Sequence, residues 1–142
     1  MKQTLSERQI IQLAQQEDAL LQNKRTYLGN LENALIDVLK SIASLKEIEK
    51  KPGKILVRLG PGVLVEAEIN ETENCKRTFS ENGFRDAKIK DTIVWLEEKH
   101  KNLEEQVKKV SIDVAKSEAN LGQLSALLNQ IEMEKRKNIS VK

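Results

Sequence analysis

Very few side chains in this sequence have the types that bond-making chemistry needs. There is one histidine, His100, and one cysteine, Cys75, in 142 residues. A single Cys and a single His fall short of a four-ligand zinc set, and one thiol allows no internal disulfide. Cys75 opens a strand-like stretch with no histidine near it in sequence, so nothing is at hand to activate the thiol as a nucleophile. Leu59-Gly60-Pro61-Gly62 has the glycine content of a phosphate loop. It lacks the Gly-Lys-Ser/Thr that must follow, and it joins two strand-like stretches where a phosphate loop joins a strand to a helix. The carboxylates are numerous but fall on helix faces patterned for solvent. The expectation is therefore no enzyme, no metal and no cofactor, with function carried by surfaces.

Two long helical stretches must position those surfaces. From residue 5 to about residue 50 there is no proline, and Leu28, Leu31, Leu35, Val38, Ile42 and Leu45 alternate by three and four residues. That is a heptad seam. Pro52-Gly53 ends it, because proline cannot continue a helix and glycine releases the chain. The second stretch, 91–137, is more regular. Ile93, Leu96, His100, Leu103, Val107, Val110, Val114, Ser117, Leu121, Leu124, Leu128 and Ile131 keep the alternation without a slip. Asp91 precedes this run and is placed to cap it. His100, in a seam position, reads as a register-setting residue, as polar seam residues commonly are. Each stretch would extend roughly 65–70 Å as a helix. Equal lengths with one interruption predict a mainly α fold with a small β part: a long antiparallel two-helix coiled coil with two central β-hairpins at its base, in one domain, 1–142.

Near the N-terminus the first seam is expected to degrade. Glu17 falls where an apolar residue belongs, and Leu13, Leu20 and Tyr27 drift to the neighbouring stripe. The coiled coil should then loosen at its far tip. That tip would carry Ile10, Ile11, Leu13, Leu20 and Leu21 from one helix, and Leu124, Leu127, Leu128, Ile131 and Met133 from the other. Two helices can bury only part of that set. A cluster of apolar residues at one place marks a contact surface more often than chance scatter does.

The interruption, 54–90, alternates differently. Ile55, Val57 and Leu59 recur at every second position, Gly60-Pro61-Gly62 turns the chain, and Val63, Val65, Ala67 and Ile69 return. Pro61 sets its φ and Gly62 is free to take a positive one, a strong hairpin signal. A second hairpin is expected from Cys75 to Phe79, with Asn82-Gly83 as the turn and a return from Phe84 to Ile89. Hairpins of two strands are marginal alone in water. Their edges and apolar faces call for strands from other subunits, closing into a shared barrel.

Helix, two hairpins and helix, in that order, resembles the alpha class of prefoldin subunits. ILVRLGPGVLVEAEI is similar to that family's LVPLGAG-type first hairpin, and DTIVWLEEK stands where the family returns to helix. Arg58 replaces the family proline after Leu-Val, and Ser80-Glu81-Asn82-Gly83 stands where a Gly-x-Gly turn is frequent. The resemblance implies a cytoplasmic, ATP-independent co-chaperone. Two alpha-class and four beta-class subunits would form a hexamer, with hairpins as the platform. Unfolded clients would be held at the tips and passed to a group II chaperonin. The beta class has one hairpin, so the second hairpin argues for alpha.

Composition leaves room for two other readings. The chain could be a scaffolding coiled coil that docks one fixed partner. Alternatively, it could be a helical arm on nucleic acid, but a net charge of +2, from 24 basic and 22 acidic residues, provides no basic stripe. No apolar run long enough for a signal peptide or a membrane span is present, which predicts a soluble intracellular chain and makes the Asn-x-Ser/Thr triplets at Asn70 and Asn138 chance matches.

Overall fold

The computed structural model describes residues 5–140, in the order α1 (Glu7–Lys50), β1 (Gly53–Gly60), β2 (Val63–Ile69), β3 (Asn74–Ser80), β4 (Gly83–Lys88) and α2 (Ile89–Ser140). Two compact units divide them. A terminal unit comprises the chain up to Glu32 and from Glu105 onward, and a hairpin unit comprises Asn33–Glu104.

The start of α1 is fixed by a reciprocal cap. Ser6 N–H donates to Gln9 Oε1 at 2.9 Å, and Gln9 N–H donates to Ser6 Oγ at 3.2 Å. Two of the donors left over at the helix start are thereby satisfied. At its other end Lys50 lies in the last turn, where a cation suits the helix dipole, and Pro52 follows after Lys51.

In the terminal unit the two helices run antiparallel, with Glu7 paired to Lys135 and Arg25 to Glu118. The seam of α1 does not degrade here, contrary to the expectation. Ile10 and Leu21 are only 4% and 2% exposed, and Ala14, Glu17, Lys24 and Leu28 between and beyond them are half-buried at the same heptad spacing. Glu17 can hold a seam position by laying its methylenes along apolar surface with its head group in water, whereas Lys24 Nζ donates across the seam to Ser117 Oγ. Leu13, Leu20 and Tyr27 are therefore not a displaced seam. They form a second stripe beside it, between 40% and 52% exposed.

The hairpin unit has its own core: Val38 and Ile42 from α1 against Ile89, Ile93 and Leu96 from α2, with Leu45, Ile48, Cys75 and Leu103 packed on it. Every seam residue expected for α2 is buried or half-buried, His100 and Ser117 included. The helix, however, begins two residues earlier than Asp91. Ile89, expected in a strand, is its first residue and lies in the core at 2% exposure. The switch occurs there because Ile89 N–H donates to the carbonyl of Glu73 at 2.8 Å, while Thr92 Oγ donates back to the carbonyl of Lys88 at 3.0 Å. Asp91 sits inside the first turn, stabilising it through the dipole.

The strands form two separate two-stranded antiparallel sheets, β1–β2 and β3–β4. In the first, Ile55 lies opposite Ala67 and Val57 opposite Val65, so the alternating apolar residues share one face. Gly62 takes φ of 74°, as the Pro-Gly turn demands. In the second, Asn82-Gly83 is not the turn. Glu81 and Asn82 occupy it, Gly83 opens β4, and no residue there has a positive φ, as a two-residue Asn-Gly turn would require. Gly83 packs under the Phe79 ring: a Cβ there would stand 2.7 Å from Phe79 Cε1.

Candidate functional site

Strands β1 and β2 carry a run of exposed large apolar side chains. Leu56, Leu59, Val63 and Leu64 are each more than half exposed, and Val57 and Val65 are 37% and 43% exposed. Ile55, Ala67 and Ile69 are half-buried, with Ile55 and Ile69 lining a cleft of about 310 Å³ beside Ile48 and Lys51. Alternation alone points only to the face shared by Ile55, Val57 and Val65. It misses Leu56 and Leu64, which project from the other face at 64% and 58% exposure. Both faces of this hairpin thus present open apolar side chains, with Lys54, Arg58, Glu66 and Glu68 among them on the Leu56 face. A two-stranded sheet has no core between its faces, so these side chains have no partner within the sheet.

Hairpin β3–β4 is different in kind. Thr78 lies opposite Phe84, with a register irregularity at Phe79, so the two phenylalanines leave the strand pair on opposite faces. Both are open, at 59% and 70%. Arg77 lies directly opposite Arg85, which would be repulsive in an isolated pair. The two guanidiniums part to separate rings: Arg77 stacks 4.7 Å above Trp95, and Arg85 stacks 4.6 Å above Phe79. Lys99 adds a second cation over Trp95 at 5.2 Å. Each such contact contributes about 0.5–1 kcal/mol at an exposed site. Lys76 and Asp86, also opposite each other, close into an ion pair at 3.8 Å. This sheet is tied to α2 by its start. Thr92 has already donated its proton to Lys88, so the Cys75 thiol donates to Thr92 Oγ at 3.4 Å. Cys75 thus sits against the hairpin-unit core. His100 lies in the seam, its Nε2 3.5 Å from Glu104 Oε1 one turn on.

The linker into this hairpin carries a local anchor. Glu71 Oε1 accepts from the backbone N–H groups of Glu73 and Asn74, both at 2.9 Å. Those two bonds favour the charged form and hold the Glu71 carboxyl below its ordinary value.

In the terminal unit, the ten apolar residues expected to gather at the tip divide by burial. Ile10 and Leu21 are buried in the seam and offer no contact surface. Leu124, Leu128 and Ile131 are half-buried seam residues. Ile11, Leu13, Leu20, Leu127 and Met133 are exposed, between 40% and 61%. Leu5, Tyr27, Ile112 and Ile139 are comparably open and were not signalled by clustering. No helix among the described residues is long and apolar enough to cross a membrane.

A cryo-EM structure of filamentous PFD from Methanocaldococcus jannaschii has a similar fold, with a TM-score of 0.64 at 19% identity, over 81% of this chain and 97% of that one. No curated protein matches the chain. The family model described as "Prefoldin subunit" matches residues 14–134, which takes in most of both helices and both hairpins. The chain belongs to the prefoldin family of chaperone subunits.

Proposed function

We propose that this chain is an alpha-class prefoldin subunit: an ATP-independent holdase that assembles through its hairpins and holds unfolded polypeptides on its terminal unit. The observations that support the reading are two groups among the open apolar side chains, beside others such as Ile36, Leu39, Phe84 and Val94. One lies on hairpin β1–β2, and the other is the Leu13, Leu20 and Tyr27 stripe with Ile11, Leu127 and Met133. The first set lies on strands with unpaired edges and suits a fixed contact with other subunits. The second lies on helix surfaces and suits many weak contacts. Repeated over several subunits, such contacts would add through effective concentration while staying promiscuous. The alpha-class assignment is supported by the presence of hairpin β3–β4.

In the assembly so proposed, two copies join four beta-class subunits, and clients pass in the cytoplasm to a group II chaperonin. The test is suppression of aggregation of a chemically unfolded model protein, without nucleotide, by the particle assembled with a beta-class partner. Leu13→Ser, Leu20→Ser and Leu127→Ser together are expected to abolish most suppression with the particle mass unchanged. Full suppression by that triple variant would overturn the terminal-unit assignment. Stoichiometric binding of one folded partner, with clients ignored, would replace the holdase reading with a scaffold.

A further inference from the structure

Three cations of the hairpin unit gather on two aromatic rings and meet no carboxylate. Arg77 stacks 4.7 Å from the centroid of Trp95, Lys99 stands over the same ring at 5.2 Å, and Arg85 stacks 4.6 Å from Phe79. None of the three enters an ion pair among the described residues. Their surroundings explain why. The sheet face that carries Arg77 and Arg85 also carries Cys75 and Ala87. Asp86, the only carboxylate on the two strands, lies on the other face and is taken by Lys76. On α2 the residues three and four positions from Lys99 are Trp95, Leu96, Asn102 and Leu103, none of them acidic.

Arg77 and Arg85 lie directly opposite each other, a repulsion that a bound anion would relieve. Stacking occupies the flat face of a guanidinium and leaves its edge of N–H donors free. That edge takes a carboxylate through two parallel hydrogen bonds. Arg77 is half-buried, and Trp95 is still 39% exposed beneath its two cations, so the group is both held and open.

From this we infer that Arg77, Arg85 and Lys99, around Trp95, bind polypeptide segments with closely spaced Asp and Glu side chains, such as an acidic run in an unfolded client. The inference rests on the reading of this chain as a holdase. It gives the hairpin unit an electrostatic contact with clients, different in kind from the apolar stripe of the terminal unit. Polypeptide is favoured over nucleic acid because three cations neutralise few phosphates, and the family is one of chaperone subunits. A contact of this kind is weak, tolerant of sequence and sensitive to salt, as transient holding requires.

Trp95 is the only tryptophan of the chain, so its fluorescence reports on the site. The probe is a fluorescein-labelled peptide alternating Glu and Ser. A Gln-Ser peptide of the same length is the control, and inorganic pyrophosphate is the rival anion. The full-length chain is titrated by Trp95 emission with unlabelled peptide, and the particle assembled with a beta-class partner by anisotropy of the labelled one. The Glu-Ser peptide is expected to bind the particle at least tenfold more tightly than the Gln-Ser peptide, and to be released at about 1 M salt. Arg77→Gln and Lys99→Gln should each weaken it about tenfold, the loss of one hydrogen bond to a charged group. Arg58→Gln, on the other hairpin, should leave it unchanged.

Equal binding of the two peptides, or undiminished binding by the Arg77→Gln, Lys99→Gln double variant, would overturn the site. Displacement by pyrophosphate at lower concentration than by unlabelled Glu-Ser peptide would make it a phosphate site and overturn the polypeptide assignment. Binding to the chain alone that vanishes in the particle would overturn the client role, because other subunits then cover the site. Suppression of aggregation, measured on the same particle, separates the two levels. Suppression without peptide binding leaves the holdase standing and removes this site, whereas peptide binding without suppression removes the holdase and the client role with it.

Discussion

Lys24 Nζ donates to Ser117 Oγ across the helix seam at 2.8 Å, and Ser117 is the most buried side chain described, at 1% exposure. Two polar residues meet where a coiled coil would place leucines. Such a layer fixes which residues face one another, at a cost in stability. Ser117→Ala is expected to cost about 1 kcal/mol by removing the acceptor. Leucine at both positions should raise the unfolding midpoint, because it joins the apolar layers on either side. Thermal unfolding followed by circular dichroism reads both; a double variant less stable than Ser117→Ala would contradict a register role.

At the second hairpin, Gly83 lies under the Phe79 ring. The atoms an added Cβ would strike are at the ring's far end, so the ring can swing away and relieve the clash. Gly83→Ala should therefore cost no more than about 1 kcal/mol, roughly the value of the Arg85 stacking it disrupts. The expected signature is loss of the ring-current shift on the Arg85 side-chain protons, with the hairpin's strand signals retained. Collapse of those signals would show that the glycine is required by the backbone itself.

Glu71 gives the linker a pH dependence whose sign follows from its lowered carboxyl. A carboxyl with a depressed folded-state value contributes stability above its ordinary value and loses it as pH falls through the depressed one. Wild type should exceed Glu71→Ala in stability at neutral pH, and the gap should close in acid. The effect is small because the group is solvent-exposed. Slower amide exchange at Glu73 and Asn74 in wild type, at neutral pH only, is the local check; a gap that widened in acid would contradict the assignment.

How far the sequence is legible differs along the chain. In α2 the three-and-four spacing reads cleanly, since apolar residues fill almost every seam position from Ile93 to Ile131. In α1 the same geometry is concealed by Ala14, Glu17 and Lys24, which are half-buried without being large and apolar. The capping signature at Ser6 and Gln9 was available and marks the start of α1. Ile89 misleads because an apolar residue after an alternating run reads as strand; the Glu73 carbonyl that ends the strand there is visible only in three dimensions. The Asn82-Gly83 pair misleads likewise, since the turn falls one residue earlier, on Glu81-Asn82. Leu56 and Leu64 were legible as apolar, but strict alternation assigns them to solvent. Arg77 and Arg85 look like faults in a strand until Trp95 and Phe79 are seen beneath them.

The central claim is that hairpin β1–β2 builds the assembly. Its most direct test is the solution mass, by light scattering, of the wild-type chain and of Val63→Lys with Val65→Lys, each mixed with a beta-class prefoldin subunit from the same source. Wild type is expected to form a particle near two-plus-four stoichiometry. The double variant is expected to remain unassembled with its helix content intact. An unchanged particle mass in the variant would contradict the claim.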